Sequence, residues 1–221
     1  MERSLHRELK DRYGPRIGGR SEVVVGAYRV DAIDPEGRLV EIQSAPLGRL
    51  RGKLDRLLPD HEVVVVRPVV VARRIIRRDR AEGPDREARR SPKRGSLLDA
   101  FDDLIELARI FPNSNLRIDL LAVDVDEIRA PRRRKPGYLV VDRLLREVRQ
   151  TVPLRVSADL WSLLPDDLPD RFTTGELARA IGRSDEFARR VAYCLRMGGA
   201  AEVVAKRGNS RVFERPAALI A

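Results

Sequence analysis

Three polar side chains in the first quarter of the chain, Asp31, Glu41 and Gln43, could act together on one substrate. The turn sequence Asp34-Pro-Glu-Gly37 lies between the two acids and favours a hairpin, which would bring both carboxylates to the same end of a sheet. Side chains alternate along a strand, so Gln43 shares the face of Glu41. Because Mg²⁺ and Mn²⁺ prefer hard oxygen ligands, the grouping predicts a divalent-metal site formed by Asp31, Glu41 and the Ile42 carbonyl. Such a metal ion activates a water molecule and neutralises charge on a phosphate.

The hydrophobic periodicity around these residues predicts an α/β domain. A leucine-rich helix follows the acidic strands, and Lys53 flanks its apolar stripe. The predicted order is helix, three strands, helix and strand, with the elements at Glu2–Arg12, Glu22–Gly26, Ala27–Ile33, Arg38–Ser44, Pro46–Leu58 and His61–Val66, and a further strand at Pro68–Ile76.

This order, with Asp31 on one strand and Glu41-x-Gln43 on the next, resembles the PD-(D/E)xK nuclease superfamily. Its members place an Asp at the end of one strand and an acidic-x-Lys tripeptide on the next strand. Some members carry Gln at the lysine position, as this chain does with Gln43, and others supply the lysine from the following helix, where this chain has Lys53. The resemblance covers roughly the first half of the chain. It implies a restriction-endonuclease-like mixed sheet flanked by helices, and Mg²⁺-dependent phosphodiester hydrolysis by Asp31, Glu41, Gln43 and Lys53.

Each of these side chains also has an ordinary structural explanation. Asp31 could cap a turn, Glu41 could be a solvated residue of an edge strand, and Gln43 could belong to a plain polar face. Lys53 could cover Leu57 with its aliphatic stem. The alternative function is therefore a non-catalytic DNA-binding regulator built on a decayed nuclease fold, which the missing motif lysine favours.

Charge points to nucleic acid as the partner. The 44 Lys and Arg residues exceed the 34 Asp and Glu residues, leaving a formal net charge of +10. A chain with this balance is suited to neutralising phosphates, and we expect double-stranded DNA as the ligand. An RNA ligand stays open on charge alone, but only 5% of the residues are aromatic, which disfavours a base-stacking platform. Nucleases of this superfamily often need two active sites to cut both strands, so a homodimer is compatible with the resemblance.

The rarer residue types exclude several classes of site. A single cysteine, Cys194, forbids an internal disulfide bond, and His6 and His61 are too few for a zinc or iron centre. We expect His6 to be a packing or surface residue and Cys194 to be unreactive. No apolar run approaches the roughly 20 residues that a membrane span needs, so the sequence predicts a soluble, cytoplasmic protein.

The last third of the chain resembles a winged-helix domain. Two short predicted helices, Thr173–Gly182 and Ser184–Met197, have helix-turn-helix spacing, and a predicted hairpin follows them. The second helix is the expected recognition element. The candidate DNA-binding residues of this region are Arg183, Ser184, Arg189 and Arg190 on the helix and Lys206 and Arg207 on the hairpin. Many winged helices bind only proteins, and that alternative stays open.

The middle of the chain supplies the predicted boundaries. The polar segment 77–95 is expected to be a loop or mobile arm, either simple solvated surface or a phosphate clamp presenting Lys93 and Arg94. A helix at Leu97–Phe111 and a strand at Asn115–Val125 follow. The predicted domains are a nuclease-like domain at 1–130, a basic linker at 131–137 and a small winged-helix domain at 138–221.

Overall fold

The computed structural model describes residues 3–86 and 88–219 and contains two compact units. Unit 1 consists of residues up to Ser44 together with Val63–Leu97 and Asp119–Thr151. Unit 2 consists of Ala45–Glu62, Leu98–Ile118 and the residues from Val152 onward. These boundaries differ from the predicted ones, because two helical segments from the first half of the chain associate with its last third.

Unit 1 is built on a seven-stranded mixed sheet, which confirms the predicted α/β class. The strand order is β1-β2-β3-β4-β6-β7, with β5 paired to β4. The first three strands form an antiparallel meander, and β4 runs parallel to β3. The strands are β1 (Arg20–Val25), β2 (Tyr28–Ile33), β3 (Leu39–Ile42), β4 (Val63–Arg77), β5 (Arg89–Arg90), β6 (Leu116–Pro131) and β7 (Tyr138–Leu154).

One helix, α1 (Ser4–Tyr13), covers part of this sheet. Leu5 and Leu9, four residues apart and therefore on one helical face, are buried against the sheet. Their partners in the core cluster are Ala32, Val40, Ile42, Val64, Val66, Leu121, Val123 and Val125. The sequence predicts that this helix begins at Glu2, which lies outside the described residues.

The hairpin between β2 and β3 has the predicted turn chemistry. Asp34 Oδ1 accepts hydrogen bonds from the backbone N–H groups of Glu36, at 3.1 Å, and Arg38, at 2.9 Å. Gly37 has a φ of 84°, the left-handed conformation that glycine adopts without steric cost. The turn thereby sets the register of the two strands that carry the acids.

Strand β4 is continuous where the sequence predicts two strands separated at Arg67-Pro68. Proline lacks the N–H group that a sheet ladder requires, and it is tolerated where no partner needs that group. The pairing of β4 with β3 ends near Val66, and its pairing with β5 begins at Arg74. Pro68 therefore lies in a gap between the two partners, and the strand runs through it.

The segment 77–95 is attached to β4, contrary to the expected mobile arm. Backbone N–H groups along its length donate to β4 carbonyls: Arg86 to Arg77 at 2.9 Å, Ser91 to Arg73 at 2.9 Å and Gly95 to Val71 at 3.1 Å. Its central residues form β5, antiparallel to β4. The polar composition of the segment reflects its exposure to solvent and not a lack of structure.

The predicted basic linker 131–137 is the turn that joins β6 to β7. Arg132 N donates to Gly137 O at 3.1 Å, and Gly137 has a φ of 83°. Both flanking strands are long, and β7 is largely exposed. Because β7 lacks a sustained apolar alternation, the sequence gives little sign of it.

Within the described residues, unit 2 contains four α-helices and a separate three-stranded sheet in the order β8-β10-β9. The predicted helix over Leu97–Phe111 is divided into 3-10 turns on either side of one α-helical turn. The elements are α2 (Arg51–Leu57), α3 (Phe101–Leu104), α4 (Thr174–Ala180), α5 (Asp185–Met197), β8 (Arg171–Thr173), β9 (Glu202–Arg207) and β10 (Ser210–Glu214).

Capping and aromatic packing define the C-terminal part of unit 2. Thr173 and Glu176 form a capping box at the start of α4, and Ser184 Oγ accepts from Phe187 N at the start of α5. Phe172 stacks on Phe213 with ring centroids 5.8 Å apart. These features fix two successive helices and the hairpin that follows them.

None of the helices within the described residues is both long enough and apolar enough to cross a membrane.

Candidate functional site

The two acids of the hairpin follow directly on the ladder that pairs β2 with β3. Ala32 pairs with Val40 in that ladder, so extending it by one residue would set Asp31 against Glu41. The backbone ladder stops at this point, because Ile42 N donates to Asp31 Oδ2, at 2.8 Å, and not to a carbonyl of β2. The Asp31 carboxylate thus occupies the place where the two strands separate. It caps a backbone amide, as the ordinary explanation anticipated, although in a strand and not in a turn.

Glu41 is buried, with 7% of its surface exposed. Val40 and Ile42 belong to the core cluster under α1, so alternation places Glu41 on the other face of β3. Strand β3 lies between β2 and β4, which rules out the explanation of Glu41 as a solvated edge residue. Burial of a carboxylate costs free energy unless charges or hydrogen bonds compensate it, so this position is not a neutral one for glutamate.

His6 of α1 contacts Asp31, whereas Glu41 points to the face of the sheet away from α1, and the sequence analysis did not anticipate this contact. Its Nε2 atom lies 3.2 Å from Asp31 Oδ1, and the two side chains are 24% and 23% exposed. His6 comes from α1, two residues after the helix begins. No local sequence signal connects it with Asp31, because the contact depends on how α1 lies on the sheet.

Gln43 extends the pairing of β3 with β4. Its backbone N–H donates to Val66 O at 2.9 Å, and its carbonyl accepts from Arg67 Nη1 at 2.9 Å. Glu41 pairs with Val65, so the same register sets Gln43 beside Arg67. Arg67 therefore supplies a cation next to the position where the nuclease motif has lysine. The parallel register of two strands would have been needed to find it from the sequence.

Lys53 belongs to a different unit from the acids. It is half-buried on α2 of unit 2, whereas Asp31, Glu41 and Gln43 belong to unit 1.

The predicted metal site depends on the two carboxylates of the hairpin, Asp31 and Glu41. Among residues 3–86 and 88–219, no group of three or more His, Cys, Asp and Glu side chains is arranged to hold a metal ion. Mg²⁺ bound to nucleic-acid enzymes keeps several waters and needs only one or two carboxylates together with substrate phosphate. Asp31 and Glu41 supply carboxylates of the kind that such a site uses.

Three of the four residues predicted on α5 and at its start are engaged within unit 2. Arg183 Nη2 lies 2.5 Å from Asp99 Oδ1, and Arg190 Nε lies 3.0 Å from Asp102 Oδ1. Ser184 caps the helix. The charges of Arg183 and Arg190 are therefore partly neutralised by acids of unit 2, and Ser184 serves the helix itself.

Arg189 lies on a different face of α5, with basic and polar neighbours. It lines a cleft of about 450 Å³ together with Tyr193 and Arg196, which follow it at helical spacing, and Arg211 of β10. Tyr193, Arg196 and Arg211 were not among the predicted residues. Their common face becomes visible only when the β9–β10 hairpin is placed beside the helix.

The hairpin residues Lys206 and Arg207 are exposed, as expected for a basic tip. Lys206 pairs across the hairpin with Arg211, which extends the basic face. Arg207 Nη1 lies 2.7 Å from Glu176 Oε1 of α4. Of the two, Arg207 is therefore already partly neutralised within unit 2.

The single cysteine is buried in α5, and burial raises the pKa of the Cys194 thiol to about 12. A thiol that remains protonated is a poor nucleophile, so Cys194 packs and does not react.

Comparison with known proteins identifies the family of this chain. Residues 3–155 match the model of a domain of unknown function, DUF8091. The chain belongs to the DUF8091 family. The DUF8091 match includes the acidic pair, His6 and Arg67, and it ends before α4 and α5.

One relative extends over almost the whole chain. It is a protein of Treponema pallidum (strain Nichols) named "Uncharacterized protein", 34% identical over 220 residues, which cover 97% of this DUF8091 chain and 85% of the relative. No solved structure matches the chain.

Proposed function

We propose that this protein is a metal-dependent DNA endonuclease whose active site is the Asp31–Glu41 pair. The observation that carries the proposal is the end of the β2–β3 ladder at Ala32 and Val40, which leaves Asp31 and Glu41 as the next residues where the two strands separate. Two carboxylates held in register on a rigid sheet form a preorganised site for a divalent cation.

The order of elements supports the same proposal. The PD-(D/E)xK resemblance requires a helix, a three-stranded meander, a second helix and then a strand parallel to the third one. The chain has this order in α1, the antiparallel β1–β2–β3 meander, α2 and β4. The resemblance assigns the motif acids to the second and third strands, where Asp31 and Glu41 lie. Fold order alone does not define chemistry, so the activity has to be argued from the side chains.

The chain's own residues have distinct parts in the proposed hydrolysis. Mg²⁺, when bound, supplies an acidified water molecule and neutralises charge that develops on the phosphate. His6 positions the Asp31 carboxylate through its 3.2 Å contact. Arg67, beside Gln43, provides the positive charge that attracts the scissile phosphate, and the Gln43 amide orients the attacking water.

The C-terminal part of unit 2 supports the proposal that a winged helix binds the substrate. Two capped helices precede an antiparallel hairpin, and β8 joins the hairpin in the order β8-β10-β9. The face that we propose for duplex DNA is that of Arg189, Tyr193, Arg196 and Arg211, and not that of Arg183 and Arg190.

A cleavage assay with a matched pair of variants tests the activity. We expect nicking or linearisation of supercoiled plasmid in Mg²⁺ or Mn²⁺, and a loss of about 100-fold or more for Glu41→Gln. The control is Glu36→Gln, an exposed residue of the same hairpin. Circular dichroism verifies that both variants are folded. Equal cleavage by the Glu41→Gln and wild-type proteins refutes the proposed site.

A non-catalytic DNA-binding regulator is the second candidate, and two observations favour it. Gln43 stands where the motif has lysine, and both Asp31 oxygens already accept or face a hydrogen-bond partner. Tight duplex binding without cleavage in either metal selects this candidate. Parallel assays on duplex RNA distinguish the substrate, since the proposal requires cleavage of DNA.

A further inference from the structure

We propose that a groove lined by arginines on unit 1 binds the phosphate backbone of double-stranded DNA. This inference adds a second contact surface to the proposed function and rests on it for the nature of the substrate. The groove has a volume of about 410 Å³. Its acidic lining residues are Asp124 and Glu147, and six arginines outnumber them: Arg73, Arg74, Arg90, Arg94, Arg146 and Arg149.

Buried carboxylates hold several of these arginines in place. Asp126 binds Arg74 in a two-pronged contact, with Nε at 2.8 Å and Nη2 at 2.6 Å. Asp124 binds Arg149 Nη2 at 2.5 Å. The hydrogen bonds to these acids raise the pKa of both guanidinium groups. Guanidinium groups that are already oriented lose less conformational freedom when they bind an anion.

The pairing of β4 with β5 places two arginines directly opposite each other. Arg74 pairs with Arg90 in this ladder, and like charges at such positions destabilise a sheet. Arg74 is compensated by Asp126, but Arg90 and Arg94 have no acidic partner among residues 3–86 and 88–219. An anion bound between the strands removes this repulsion.

Two buried polar atoms of the residues that line the groove lack a hydrogen-bond partner within the described residues. Arg73 Nε is buried and has no hydrogen-bond acceptor in the described part of the chain. Asp124 Oδ1 is also buried and has no hydrogen-bond donor there. The Arg73 side chain faces Glu127, 3.7 Å away, so this donor is not offered to a ligand in the groove, whereas a water molecule in the groove satisfies Asp124 Oδ1.

The chemistry of the groove favours the backbone of a duplex over unpaired bases. The planar guanidinium fork matches phosphate oxygens, and phosphate contacts position a duplex without reading its sequence. Single-stranded sites instead combine basic residues with aromatic side chains for stacking. The residues that line this groove include no aromatic side chain.

Equilibrium binding in EDTA tests the groove independently of cleavage. The probe is a fluorescent 16-base-pair duplex, titrated by anisotropy across a range of NaCl concentrations. We expect Arg90→Ala/Arg94→Ala to weaken binding by about tenfold and to reduce the salt slope by about 1.8, as for two lost phosphate contacts. The control is Arg12→Ala/Arg20→Ala, which removes the same charge from exposed positions of unit 1 outside the groove.

The outcomes separate this inference from the proposed activity. Equal affinities of the two double variants for the duplex overturn the proposal that the groove binds DNA, even if plasmid cleavage is observed. If binding depends on the groove arginines but no cleavage occurs, the proposed DNA-binding groove is supported and the proposed nuclease activity is refuted. Competition by pyrophosphate with no duplex binding, or tighter binding of the single strand than of the duplex, also overturns the inference.

Discussion

At the residue scale, Asp31 combines a structural contact with a proposed chemical one. Its Oδ2 atom accepts the Ile42 amide that would otherwise have lost its partner where the strands separate. This hydrogen bond orients the carboxylate at the strand end. The spacing of polar side chains singles out Asp31, Glu41 and Gln43, and their role stays a prediction. It could not select His6 or Arg67, because those contacts arise from helix packing and from parallel strand register.

The Cys194 thiol predicts a pH dependence of stability. Its pKa is raised from 9.0 to about 12 by burial, so the folded state disfavours the thiolate. The contribution to stability is complete below pH 9 and is lost as the pH rises toward 12. We expect urea midpoints to fall between pH 9 and 11 more steeply for the wild type than for Cys194→Ala.

A labelling experiment checks the same group directly. We expect the thiol to be unreactive toward a disulfide reagent at pH 8 until the protein is unfolded in guanidinium chloride. Rapid labelling of the native protein contradicts the assigned burial.

At the scale of elements, local patterns predicted the first half of unit 1 well. Helix α1, the meander and the Asp34 turn follow from helical spacing, strand alternation and turn chemistry, which agree with one another. The later strands were harder to predict from the sequence. Segment 77–95 and strand β7 are polar on their exposed surfaces, so hydrophobic periodicity does not mark them. Their structure comes from backbone hydrogen bonds to neighbouring strands, which a single sequence does not display.

A buried ionic cluster links three of the elements of unit 1. Glu127 of β6, with its side chain 1% exposed, contacts Arg129 at 2.5 Å, Arg143 at 3.0 Å and Arg73 at 3.7 Å. Burial alone would raise the pKa of Glu127, but the hydrogen bonds from Arg129 and Arg143 lower it below its usual value. The cluster therefore stabilises the sheet while the carboxylate is ionised.

Substituting this carboxylate should destabilise the sheet. We expect Glu127→Gln to reduce the free energy of unfolding by about 2 kcal/mol at pH 7, less than for fully buried pairs because the arginines are partly exposed. Since the folded pKa is lowered, the difference from wild type should shrink as the pH falls below 4.5. Urea denaturation measures it, with the exposed Glu147→Gln as the control. A difference below about 0.5 kcal/mol for Glu127→Gln contradicts the role of the cluster.

At the scale of the whole molecule, the two units are interleaved along the chain. The backbone passes from one unit to the other five times, at 44/45, 62/63, 97/98, 118/119 and 151/152. Strand β6 begins in unit 2 and continues in unit 1, and β7 makes the reverse passage. The predicted separation into consecutive domains missed this arrangement, because composition reveals linkers but not the return of a chain to an earlier unit.

This interleaving predicts cooperative unfolding. The only tryptophan, Trp161, belongs to unit 2, and its indole N–H donates to Ala200 O at 2.8 Å. Because the units share continuous strands, we expect urea transitions monitored by Trp161 fluorescence and by far-UV circular dichroism to coincide. Two separated midpoints would show that the units unfold independently.

Strand β4 fixes the distance between two positions of unit 1. It pairs with Glu41 at Val65 and carries Arg74 nine residues later, on one uninterrupted strand. At about 3.3 Å per residue, the two positions are about 30 Å apart, close to the length of nine base pairs of B-form DNA. No hinge lies between them, so the distance from acids to arginines is set by residue count. Adding or deleting one residue after Pro68 would turn the later side chains of β4 to the opposite face of the sheet and separate Arg74 from Asp126.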